Sequence, residues 1–371
     1  MRIVYFTHSL LSCWNHGNAH FQRGVLRELQ ALGHEVQAME PQDSWSLSNL
    51  LADHGKEGLA PFHKTYPELS SSRYDRERFD AGEAVGNAEL VIVHEWTEPE
   101  IVAALGTLRK RRSGMTLLFH DTHHRMVSDP DAMRRFDLSG YDGIIAFGEA
   151  LAEMYRKAGW GERVWVWHEA ADLKLFKPPE EEGEREGVAW IGNWGDDERS
   201  SELREYLLVP CRSGGLALDI WGVRYPAHAL ATLRLLGAHY HGWIGNALVP
   251  DLFARAMATV HVPRRYYTDM LPGIPTIRVF EALACGIPLV CAPWEDSEGL
   301  FRPGEDYLEA RDAGQMRRCL TALDKDTQLR AELSANGLER VRSRHGCSHR
   351  AAELLDIHAR LTGSRSQEKA A

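Results

Sequence analysis

Apolar residues in this chain fall into short dense runs separated by amphipathic stretches, and that alternation predicts repeated strand–helix–strand units. Residues 2–7 (RIVYFT) form the first run. Residues 19–32 put Val25, Leu26, Leu29 and Leu32 on one helical face, stopped by Gly33. Residues 35–39 read as a second strand, whereas 43–79 is less regular, with helical pieces and turns, and reads as a surface excursion. Further strands are expected at 90–93, 115–119, 143–147 and 164–167, with helices over 101–112 and 149–158.

The second half repeats the scheme. Strands are expected at 188–191, 218–221, 239–243, 259–262 and 287–291. Helices are expected over 200–208, 249–258, 315–323, 327–342 and 349–361. A glutamate-rich stretch, 179–186, separates the halves and reads as a solvated linker. The expected division is therefore an N-terminal domain over 1–177, a C-terminal domain over 178–345, a terminal helix over 346–363 and a tail over 364–371 that reads as disordered. This is an α/β chain of two doubly wound halves.

Composition narrows the function classes. A length of 371 residues suits two domains, and 44% hydrophobic with 26% charged residues describes a globular protein. The net charge of -10 disfavours a non-specific nucleic-acid binder, and no nucleic-acid partner is expected. Six cysteines form no C-x-x-C pair and suit a reducing compartment. The first residues lack the apolar core of a signal peptide, and no run approaches the roughly 18 apolar residues of a membrane span. A cytoplasmic location is expected.

The most informative stretch is 271–294, LPGIPTIRVFEALACGIPLVCAPW. It reads as a Gly/Pro turn, a short helix with Pro275 at its first position, a stop at Gly286 and a buried strand. Arg278 and Glu281 lie one turn apart near a helix N-terminus, which suits a phosphorylated ligand and equally suits an ordinary helical ion pair. Within it, R-V-F-E-A-L-A-C-G resembles the nucleotide-sugar site of GT-B glycosyltransferases of the group 1 (GT4-like) type, and most closely their CgeB-like branch. In the wider group two glutamates lie eight apart; Glu281 matches the second, and Gly273 stands at the first. The segment 168–178 also resembles the exit from the first GT-B domain, with Asp172, Phe176 and Pro178 at the recurring positions.

The resemblance implies two Rossmann-like domains facing a central cleft, with the C-terminal helix crossing back. It implies a transferase that moves a sugar from a nucleotide-sugar donor to an acceptor with retention. Donor-side residues would be Asn193, Arg199, Trp243, Arg264, Arg265, Gly273, Ile274, Arg278 and Glu281. Arginine's planar fork suits a diphosphate. The corresponding catalytic positions would be His120 and Glu281, with His120 bonding the donor sugar.

Loops after predicted strands in the first half supply the acceptor side: Asn15, His16, Gly17, Asn18 and His20, then His94 and Glu95, then His123. Asn18 is the expected N-cap of the first helix. The first loop is expected to face Gly273 and Ile274 across the cleft, and with His120 to govern transfer more than nucleotide affinity. Adjacent imidazoles on an extended loop point apart, so no metal site is expected, and no cofactor beyond the donor. No G-x-S-x-G elbow, P-loop or G-x-G-x-x-G fingerprint is present. A sugar-nucleotide epimerase and a non-catalytic sugar-nucleotide-binding protein would use the same donor pocket.

Overall fold

The computed structural model describes residues 1–181, 183–195 and 197–368. The chain divides into two compact units. The first comprises Met1–Cys13, Asn18–Glu169 and the C-terminal segment from Cys347; the second comprises Trp14–Gly17 and Ala170–Gly346.

Seven strands build the first unit: β1 Arg2–Phe6, β2 Glu35–Pro41, β3 Ser71–Tyr74, β4 Leu90–His94, β5 Thr116–Asp121, β6 Gly143–Ala146 and β7 Val164–Val166. Their order is β3-β2-β1-β4-β5-β6-β7, and every pairing is parallel. All residues of β4 and β5 are buried, because crossover helices cover both faces of a parallel sheet. The helix Ala19–Ala31 joins β1 to β2, and the C-terminal helix Cys347–Glu368 packs on it. Trp167 Nε1 donates to the Arg350 carbonyl at 2.9 Å and so ties β7 to that terminal helix.

The second unit has six strands: β8 Glu186–Ile191, β9 Leu218–Trp221, β10 His239–Tyr240, β11 Ala256–His261, β12 Leu289–Cys291 and β13 Leu308–Glu309. Their order is β10-β9-β8-β11-β12-β13, again all parallel. Its core gathers Val188, Leu203, Leu233, Val260 and Leu320. In both sheets the winding direction reverses once, between β1 and β4 and between β8 and β11.

Several local expectations are corrected. Residues 43–79 hold the helices Trp45–His54 and Ala60–Thr65, in keeping with the helical pieces expected there, but also an unexpected strand, β3, which pairs with β2. The helix expected over 249–258 stops at Phe253, because the apolar run from Ala256 is claimed by β11, which pairs with β8. Pro275 precedes the helix Ile277–Ala284, whose N-cap is Thr276. Asn18 makes no side-chain cap; its amide donates to Thr122 Oγ1 at 3.2 Å. The terminal helix continues to Glu368, beyond the expected break at Ser364, and the last three tail residues lie outside the described residues. Among the described residues no helix is long and apolar enough to cross a membrane.

Gly222, just after β9, has φ 157 and donates to the Gly242 carbonyl at 2.7 Å. A Cβ there would lie 1.9 Å from the Gly192 carbonyl oxygen at the end of β8. Backbone on both sides leaves no flexible side chain to yield. Gly222→Ala should therefore destabilise the chain by about 1–3 kcal/mol, the range for overpacking, seen as a lower urea midpoint. An unchanged midpoint would refute this close approach.

Candidate functional site

Three arginines approach one another at the switch point of the second sheet. Arg199 follows β8, Arg264 follows β11, and Arg278 lies in the first turn of Ile277–Ala284. Arg199 is only 9% exposed. Its Nη1 donates to the Val262 carbonyl at 3.2 Å, and its Nη2 donates to the Asn193 carbonyl at 3.0 Å and to Asn193 Oδ1 at 2.9 Å. Its Nε is buried without a partner. Among the described residues its hydrogen bonds all go to neutral oxygens, while the nearby Glu198 carboxylate acts on it only through space. Burial first, and Arg264 second, lower its pKa to about 9, so it remains charged at neutral pH.

The neighbouring arginines do have carboxylates. Arg264 pairs with Glu198, and its Nη2 donates to Asn193 Oδ1 at 3.1 Å. Arg278 pairs with Glu281, whose side chain is fully buried. Asn193 Nδ2 donates in turn to Asn15 Oδ1 at 2.9 Å. Gly17 lies against the same helix: a Cβ there would meet Ile277 Cγ2 at 3.2 Å and Arg278 Nη2 at 4.0 Å. Gly273 has φ 89, and its N–H donates to the Glu295 carbonyl at 2.7 Å. A Cβ on it would meet Ser297 Oγ at 2.5 Å and Glu298 Oε1 at 3.2 Å. No side chain fits at 273, and the space is bordered by the Glu298 carboxylate.

In the first unit the carboxyl ends of β4 and β5 carry a buried polar network. Burial pushes Glu95 up to about 8, and burial followed by Glu95 pushes Asp121 up to about 7. Burial also lowers His94 to about 3 and His120 well below the usual imidazole range. The 2.8 Å approach of Glu95 Oε2 to His94 Nδ1 is therefore a close contact of two neutral groups, neither an ion pair nor a hydrogen bond. The His94 Nε2–H then donates to Thr122 Oγ1 at 3.1 Å, and the Thr122 hydroxyl donates to Glu95 Oε1 at 3.4 Å. Tyr155 donates to Asp121 Oδ2 at 2.6 Å. The Tyr5 hydroxyl and His120 Nδ1 share a hydrogen bond at 2.6 Å, and His120 Nε2 is buried without a partner.

A family model described as glycosyl transferase-like matches residues 201–356. Solved structures cover nearly the whole chain. Sucrose-phosphate synthase from Thermosynechococcus elongatus is 16% identical over 98% of this chain and 100% of its own, with a TM-score of 0.69. A glycosyltransferase from Rickettsia africae is 10% identical over 97% and 98%, at 0.67. Anabaena HepE, solved with UDP and glucose, is 14% identical over 99% and 100%, at 0.63. No curated protein matches the chain in sequence.

The chain has a GT-B fold. Within it, the expected donor residues separate. Asn193, Arg199 and Arg264 converge with Asn15, and Arg278 joins Glu281. Ile274 is buried beside Gly273. Arg265 opens the helix Arg265–Asp269 and turns away to Glu202 at 2.9 Å. Trp243 is half-buried over Gly245, whose Cβ position lies 3.3 Å from the indole.

On the acceptor side, His16 and His20 are buried rather than displayed. His120 is packed 4.8 Å from Trp167, so in this conformation it cannot bond a sugar directly. His123 lies against His124, with ring centroids 4.0 Å apart and planes tilted by 34°. Among the described residues no group of three His, Cys, Asp or Glu side chains is placed to hold a metal ion. Sequence reading missed Glu198, Glu298, Tyr5 and Tyr155. Glu198 adjoins Arg199 in sequence and was findable; Tyr5, Tyr155 and Glu298 are brought in only by tertiary packing.

The first unit's network makes stability pH-dependent in two opposing ways. His94, His120 and His8, the last lowered to about 4, take up protons on unfolding below about 6.5, so they favour the folded state as pH rises to that value. Glu95 and Asp121 hold protons when folded and release them on unfolding above about 4, so their contribution is lost as pH rises through about 7 and 8. Above pH 6.5 only the carboxyls act. Urea midpoints should fall from pH 6.5 to 8.5, and Glu95→Gln should flatten that fall. An equal fall in the variant would refute the protonated Glu95.

Proposed function

We propose that this protein transfers a sugar from a nucleoside diphosphate sugar to an acceptor, and that the second unit binds the donor. The observation that carries the reading is Arg199: a buried cation that among the described residues hydrogen-bonds only to neutral oxygens, beside two further arginines and the Glu198 carboxylate that pairs with one of them, at a sheet's switch point. Such a group is costly unless an anion completes it. The diphosphate lies against Arg199 and Arg264. Arg278, held by Glu281, completes the cationic set. HepE was solved with UDP, which supports a uridine donor.

In the CgeB-like reading that R-V-F-E-A-L-A-C-G supports, transfer retains the anomeric configuration. The bond from the anomeric carbon to the diphosphate breaks as the bond to the acceptor oxygen forms. The acceptor proton passes to the leaving phosphate on the same face. The arginines stabilise the charge that develops there. Glu298 supplies the carboxylate that Gly273 lacks, and His120 is a positioning residue through Tyr5 and Trp167. Six free cysteines suit a reducing, cytoplasmic setting.

Calorimetry with UDP and UDP-glucose tests the donor site. Arg199→Met should weaken UDP at least tenfold, about 1.4 kcal/mol, with circular dichroism unchanged. Equal affinity in the variant would sink the reading. Glu298→Gln should lower turnover with UDP affinity kept, and normal turnover would remove Glu298 from the site. His120→Ala should lower transfer with nucleotide affinity and donor KM unchanged. Nuclear magnetic resonance of the first-formed product should show the donor's anomer. Conversion of pure UDP-glucose to an epimer, without acceptor, would favour the epimerase instead.

A further inference from the structure

Four adjacent strands of the first sheet, in the order β2, β1, β4, β5, each deliver one aromatic ring just beyond their carboxyl ends. The rings are Trp45, His8, Trp96 and His123. They run in the same order as the strands. Centroids are 6.3 Å apart from Trp45 to His8, 6.3 Å from His8 to Trp96 and 5.2 Å from Trp96 to His123. Trp45 is 44% exposed and Trp96 42% exposed. They are two of the few large apolar side chains on the surface, and a single row holds both.

The row is fixed before any ligand arrives. The Arg125 guanidinium lies 4.2 Å from the Trp96 ring centroid and also donates to the Glu95 carbonyl. The Ser46 N–H, next to Trp45, donates to His8 Nε2 at 3.3 Å, and Ser46 Oγ donates to Ser12 Oγ at 2.8 Å. His8 is uncharged at neutral pH, since burial, His94 and Arg76 all favour its neutral ring. Arg76 itself is matched by Asp43 at 3.0 Å and Glu98 at 2.8 Å.

A row one ring wide, alternating indole with imidazole, suits a particular ligand. An acyl chain needs a continuous aliphatic wall, and this row interposes imidazoles. A protein partner needs a broad apolar patch. A pyranose has an apolar C–H face that lies on an indole and a rim of hydroxyls that imidazole nitrogens can bond. Successive pyranoses of a linear glycan meet successive rings.

We propose that the row Trp45, His8, Trp96 and His123 is the acceptor platform and that the acceptor is a linear glycan spanning more than one ring. This rests on the transferase reading for the word acceptor, but the binding itself does not.

The test uses the full chain with a glycan array, and with saturation-transfer resonance on cellotriose, maltotriose, chitotriose, methyl glucoside and 2-naphthol. At least one linear oligosaccharide should bind, more tightly than methyl glucoside. Trp45→Ala and Trp96→Ala should each weaken it at least fivefold, and Trp45→Phe and Trp96→Phe should retain most of it. UDP affinity, measured on the same preparations, should not move.

The platform is overturned if no glycan binds in either format, if both alanine variants bind as the parent does, or if only 2-naphthol binds. Oligosaccharide binding without nucleotide binding would uphold the platform and defeat the transferase reading. Nucleotide binding without oligosaccharide binding would do the reverse.

Discussion

A parallel sheet whose strand order turns back on itself cannot cover its own carboxyl edge at the turning point, because the flanking crossovers leave in opposite directions. Both units of this chain contain that gap, between β1 and β4 and between β8 and β11. Everything with chemical interest lies at one gap or beside it. Polar backbone and side chains there must be satisfied by whatever the loops supply, and the two units supply different things.

In the first unit the answer is proton placement. Glu95 and the imidazoles of His94 and His120 take their neutral forms, Asp121 titrates at about 7, and Thr122 links His94 to Glu95. A guanidinium has no such option, since it holds its proton even when buried. Arg199 therefore stays charged, and among the described residues its hydrogen bonds go to dipoles, with the Glu198 carboxylate nearby but bonded to Arg264. One gap is tuned by pH, and the other waits for negative charge.

Much of this was legible in sequence. The apolar runs at 2–7 and 90–93 read as strands because burial on both faces removes polar alternation. The helix around Phe280 read correctly because its apolar stripe ends at Gly286, which takes φ 63. Strand β3, SSRY, did not read as a strand, since an edge strand needs few apolar residues. Among site residues, Arg199 and Arg264 stood out by type and by their place after strands. Their environment did not: whether an arginine meets a carboxylate or a carbonyl depends on partners far away in sequence, such as Val262 for Arg199. His120 was misjudged for the same reason. Its place at the carboxyl end of β5 suits a ligand contact, yet Tyr5, Phe21 and Trp167 close over it.

Asn193 gives this architecture one more consequence. Its single side-chain oxygen accepts from both Arg199 and Arg264, while its nitrogen is spent on Asn15. An aspartate has nearly the same shape, but it would carry a full negative charge between the two guanidinium groups. The pocket would then be occupied by its own chain, and an incoming anion would have to compete with a tethered one. The amide holds both arginines in position without neutralising them. Receptivity at this gap thus depends on the difference between a nitrogen and an oxygen at one atom, and a chemical conversion of that amide would act as an internal inhibitor without moving the backbone.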